Sequence, residues 1–187
     1  MRDMLQGLTF PFKIRRMNKE AVLAEWQEIT DRLSEMILSF NPGVFNQKRS
    51  ENNWSAAQIA EHLLRVDIST FQALKAETVP TNRPPDQKIA LIKDAMQSDT
   101  KRVAPDMVMP SGRYHEPKAI AQRIKDQREG IKNMISDLDL TEACKAYKHP
   151  ALGTMTRLEW IYFNIYHAGR HMRQMQQLQT KASKEQQ

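Results

Sequence analysis

A chain of 187 residues fits a single domain, and an apolar share of 40% with a charged share of 27% supports a packed core and argues against global disorder. The single cysteine, Cys144, excludes an internal disulfide and a zinc site built on thiolates. The net charge of +6 is scattered along the chain without long like-charge runs, the pattern of a solvated surface, so nucleic-acid binding is not expected.

Residues 1–17 carry basic side chains on both sides of Leu8-Thr9-Phe10-Pro11-Phe12. That patch is shorter than a signal-peptide core of ~7–15 residues. The segment reads as a flexible arm, with Met17 as an alternative start because the helical pattern begins directly after it. No apolar run approaches the ~18–20 residues that span a bilayer. With a lone thiol compatible with a reducing compartment, the expectation is a cytoplasmic chain.

A first helix is predicted over residues 19–39, where Val22, Trp26, Ile29, Leu33, Met36, Ile37 and Phe40 recur at spacings of three and four. Asn41-Pro42-Gly43 ends it. A second helix opens on Ser55-Ala56-Ala57-Gln58, a capping-box pattern, and runs to about residue 75 with Ile59, Leu63, Val66, Thr70 and Leu74 on one stripe. From 77 to 117 six prolines punctuate the chain, leaving room for one short helix near 87–97. So long a connection reads either as a cover over a site or as a plain crossover.

Pro117 suits the first turn of a third helix, predicted to residue 138 with Ile120, Ile124, Gln127, Ile131, Met134, Ile135 and Leu138 inward. His149-Pro150-Ala151-Leu152-Gly153 reads as a turn. Thr156-Arg157-Leu158-Glu159 is a second capping box and opens the last helix, predicted to residue 179. Residues 180–187 read as a disordered polar tail. The expected class is all-α: a four-helix bundle with one long Pro-rich crossover, occupying residues 18–179.

The chemistry concentrates in the last helix. His167 and His171 are four residues apart, so their rings lie on one face, one above the other. At ~100° per residue they fall on the apolar stripe of Trp160, Phe163 and Leu178 and therefore point into the bundle. A single inward His is ordinarily a core residue with one hydrogen bond. Two side by side each require a partner, and a shared metal ion satisfies both. A zinc-like site takes three protein ligands, and His62, beside the inner stripe of the second helix, is the best third candidate. His115 in the crossover and His149 in the turn stay open as surface residues or as groups near the site. Cys144 reads as a small side chain near a helix end rather than as a nucleophile.

Trp54-Ser55-Ala56-Ala57-Gln58-Ile59-Ala60-Glu61-His62-Leu63 resembles the first signature of the DinB-like superfamily, which includes the YfiT-type metal-dependent hydrolases. His149-Pro150, Gly153, Thr156 and Glu159-Trp160, followed by His167, Arg170-His171 and Gln174, resemble the second. The resemblance spans about residues 18–178. It implies an up-down-down-up bundle, often a dimer, with one divalent metal ion, zinc or nickel, on His62, His167 and His171. It also implies chemistry on a small molecule, as a hydrolase or as a transferase that uses a low-molecular-weight thiol.

Hydrolysis calls for a carboxylate beside the metal, and Glu61 and Glu159 both point away from the stripe, which favours thiolate chemistry. Asn164 and Gln174 flank the histidine pair as groups that orient ligands or substrate. Arg170, about 60° from His167, reads as one half of a structural ion pair or as an anchor for an anionic substrate. A ferritin-like di-iron centre is excluded because no inward Glu-x-x-His motif exists. A non-catalytic binding or stress-response protein with a structural metal is the alternative.

Overall fold

The computed structural model describes residues 18–51, 53–98, 100 and 103–184, with side chains through residue 180. The expected arm at 1–17 lies outside the described residues. Four long helices form the bundle: α1 (Lys19–Leu38), α3 (Ala56–Lys75), α5 (Pro117–Asp137) and α6 (Arg157–Lys184), with the short α2 (Pro42–Asn46) and α4 (Ile89–Gln97) between them. Each long helix packs on two others, in the cycle α1, α5, α3, α6.

The predicted helix starts rest on real caps. Asn18 accepts from the amide of Ala21 ahead of α1. Ser55 and Gln58 close the capping box of α3 reciprocally. Thr156 and Glu159 do the same for α6, at 3.1 and 2.9 Å. α6 continues to Lys184, five residues past the expected end, over residues that are mostly good helix formers.

The all-helical expectation needs one addition. A small antiparallel sheet, β1 (Thr78–Val79), β2 (Ala143–His149) and β3 (Gly153–Thr156), in that order, closes one end of the bundle. The turn expected at 149–153 joins β2 to β3. Gly153 takes φ +64°, a left-handed backbone that disfavours any side chain. β2 carries a register shift between Ala143 and Lys148, which erases the alternation a strand would show in sequence. Arg157 fastens this end by donating to the carbonyls of Leu74 and Asp139 and to Glu142.

The inner stripe of α5 runs through Arg128 rather than Gln127: Arg128 is fully buried and Gln127 only half-buried. Its guanidinium donates to both oxygens of Asp67 on α3, at 2.8 and 3.2 Å, and lies 4.9 Å over the Trp26 ring of α1. Trp26 in turn donates to the Arg128 carbonyl at 3.1 Å.

The crossover is tied down along its length. Arg83 pairs with Glu159 at the start of α6 (2.6 and 2.7 Å), and α4 lies along α6. Arg173 and Arg170 of α6 donate to the carbonyls of Met96, Ser98 and Thr100 at the end of α4. The strap that follows, with a 3-10 turn at Asp106–Val108, crosses α3 before entering α5. Among the described residues no helix is long and apolar enough to cross a membrane.

Candidate metal centre

His62 stands in the second turn of α3, while His167 and His171 stand one turn apart in the middle of α6. Because α3 packs against α6, the three rings meet in the interior, with 3%, 9% and 7% exposure respectively. Nε2 of His167 lies 3.3 Å from Nε2 of His62 and 3.1 Å from Nε2 of His171. One ligand atom from each of the three lies within 4.8 Å of the others.

The second nitrogens explain which faces converge. His62 Nδ1 donates to the carbonyl of Val108 in the strap at 2.8 Å. His171 Nδ1 donates to Oε1 of Gln174, one turn later on α6, also at 2.8 Å. A neutral imidazole that spends its one proton on Nδ1 keeps a lone pair on Nε2. Two lone pairs therefore face Nε2 of His167, whose own Nδ1 is buried without a hydrogen-bond partner. With its proton on Nε2, His167 serves two acceptors with one hydrogen and leaves a buried Nδ1 lone pair bare. With its proton on Nδ1, three lone pairs converge with nothing between them.

Burial is the main force keeping all three rings neutral. It lowers His62, partly opposed by the Val108 bond. It takes His167 well below its ordinary range, assisted by His171, His62, Arg170 and Arg128. It brings His171 down to about 3, with His62 assisting and Gln174 opposing. Neutral imidazoles with converging lone pairs are the donor set of a borderline divalent ion. Nitrogens each ~2.0–2.1 Å from a tetrahedral ion lie ~3.3 Å apart, which matches the separations of His167 from its two neighbours. The residues present therefore fit a metal ion.

Aromatic rings wall the cluster. Trp54, just ahead of α3, has its centroid 4.9 Å from His62 and 6.4 Å from His171. Phe163 stacks on His167 at 5.2 Å. Trp54 stood in the sequence motif, but nothing in its spacing marked it as a wall of the cluster.

The other candidates fall elsewhere. Gln174 orients a histidine. Asn164 instead donates to Thr70 across the α3–α6 interface at 2.6 Å. Arg170 is engaged by the carbonyls after α4. His149 accepts from the amides of Ala151 and Leu152 in its own turn and packs its ring on Phe163 at 5.0 Å. His115 bonds to Glu61 at 3.2 Å.

Glu61 and Glu159 turn away from the histidines as expected, yet both are buried rather than solvated. Arg65, Ser111 and His115 surround Glu61. Burial acts to raise its carboxyl, and the hydrogen bonds from Arg65, Ser111 and His115 outweigh that and hold it at about 2. Glu159 is held by Arg83 and by the amides of Lys88 and Thr156. Cys144 is buried, and burial pushes its thiol up to about 11, far from a nucleophile's range.

The chain has clear relatives. The family model of the DinB superfamily matches residues 15–175, and the chain belongs to that superfamily. It is similar to the uncharacterized protein YuaE of Bacillus subtilis strain 168, at 24% identity over 164 residues, covering 87% of this chain and 94% of YuaE. In fold it is similar to TT2238, described as a four-helix bundle protein. There the TM-score is 0.55 at 15% identity, with 85% of this chain and 98% of the other covered.

Proposed function

We propose that His62, His167 and His171 hold one divalent metal ion, zinc or nickel, and that the protein is an enzyme acting there on a small molecule, with thiol transfer favoured over hydrolysis. The observation that carries this reading is the convergence of three neutral Nε2 atoms at 3.1 and 3.3 Å, two of them aimed by hydrogen bonds from behind. When bound, the ion supplies Lewis acidity at a position left open by three protein ligands, acidifying a thiol or a water and polarising a carbonyl or phosphoryl group.

The residues of the chain do the rest. Val108 and Gln174 fix the His62 and His171 rings. Trp54 and Phe163 keep the surroundings apolar, which strengthens charge interactions inside. Neither Glu61 nor Glu159 is available as a general base, since each is already saturated with donors. A thiol, with a free pKa of ~8.5 against ~15.7 for water, gives up its proton far more readily where no such base is at hand. That difference favours a low-molecular-weight thiol as co-substrate.

Protein purified without a nickel-affinity step is expected to carry roughly one metal ion per chain. His167→Ala is expected to lose it, with the helical circular-dichroism signal retained. On the cobalt-substituted protein, adding a small thiol is expected to bring up a sulfur-to-cobalt charge-transfer band. Full metal content in His167→Ala refutes the ligand assignment. A cobalt spectrum indifferent to thiol refutes the transfer reading while leaving the metal in place.

A further inference from the structure

A cavity of about 390 Å³ opens between α3, the strap and α5, and none of the three histidines lines it. Its volume lies in the ~300–1,000 Å³ range of small-molecule sites. Its lining has a definite chemistry. Glu61, Arg65 and His115 are committed to one another. Arg113 from the strap and Arg123 from α5 also line the cavity, and their guanidinium groups have no hydrogen-bond or ion-pair partner among the described residues. The one carboxylate of the lining, Glu61, is thus occupied by Arg65, Ser111 and His115, and the charges of Arg113 and Arg123 are left over.

The same cavity gathers two exposed apolar side chains, Ile68 at 42% and Met107 at 64%. Unpaired guanidinium forks suit carboxylate or phosphate oxygens, which they hold in a bidentate fashion. Exposed apolar surface beside them suits a hydrocarbon body.

We propose that this cavity is a binding site for a small organic anion, its oxyanion head held by Arg113 and Arg123 and its apolar body laid on Ile68 and Met107. The site is independent of the histidine cluster and does not rest on the metal reading.

The test uses the protein as purified and three probes: phenyl phosphate, benzoate and inorganic phosphate, each titrated by calorimetry and by arginine Nε–H NMR. Phenyl phosphate or benzoate is expected to bind saturably and to move the Arg113 and Arg123 signals; which of the two binds tighter distinguishes a phosphate from a carboxylate ligand. Inorganic phosphate is expected to bind more weakly than phenyl phosphate because it lacks the apolar body. The double variant Arg113→Ala/Arg123→Ala, at two exposed positions, is expected to keep its fold and lose roughly tenfold or more in affinity. His167→Ala is expected to bind as the parent does. The proposal is overturned if neither organic anion binds, if the double-arginine variant binds equally well, or if binding disappears in His167→Ala, which would move the anion to the histidine cluster.

Discussion

Gln174 offers the sharpest test of how the cluster is held. Its Oε1 lies 2.8 Å from His171 Nδ1, and this bond fixes both the tautomer and the angle of a ring that must present Nε2 inward. Gln174→Ala removes the acceptor, so His171 gains a competing tautomer and rotational freedom. Loss of such an outer partner ordinarily weakens a metal about 10–100-fold, or ~1.4–2.8 kcal/mol. Because His62, His167 and His171 all remain, stoichiometry is expected to stay at roughly one per chain while affinity falls by that factor. Gln174→Glu, which supplies a charged acceptor at the same reach, is expected to bind at least as tightly as the parent. Competition against a chromophoric chelator measures both. An Ala variant with unaltered affinity would refute the idea that Gln174 positions the ring.

Three further outcomes follow from the scaffold. Arg128→Met strands the fully buried Asp67 carboxylate and is expected to cost about 3–5 kcal/mol in urea unfolding, whereas Arg128→Met/Asp67→Leu is expected to recover most of that loss; additive single effects would disprove the pairing. The Glu61 carboxyl sits at about 2, below its usual 4.5, so its contribution of about 3 kcal/mol is whole above pH 4.5 and fades as pH falls toward 2. The stability gap between parent and Glu61→Gln should therefore shrink from pH 5.5 to pH 3, and a constant gap contradicts the assignment. Gly153→Ala places a side chain at φ +64° and is expected to lower stability by about 1 kcal/mol, read as a lower melting temperature, with the metal site unaffected.

What could be read from the chain alone was whatever local chemistry writes down. The capping boxes at Ser55 and Thr156 set the starts of α3 and α6, and the i, i+4 spacing placed His167 and His171 on one inward face. The pairing of those helices then brings His62 to them. Features made by distant partners left no such trace. Arg128 looks like a surface residue until Asp67, 61 positions away, is set against it. The β2–β3 hairpin hides because its register shift breaks the period-two pattern. The strap's role over His62 was invisible for a different reason: Val108 contributes a backbone carbonyl, which every residue possesses.

That last contact has an evolutionary corollary. Point mutation at exposed positions of the strap, such as Met107 and Arg113, can change the lining of the cavity beside it without removing the oxygen that steers His62. Inserting or deleting a residue between α4 and α5 would slide a different peptide unit over the ring. Substitution at those exposed positions changes what the cavity presents to a ligand, whereas a change in the crossover's length disturbs the contact that orients His62.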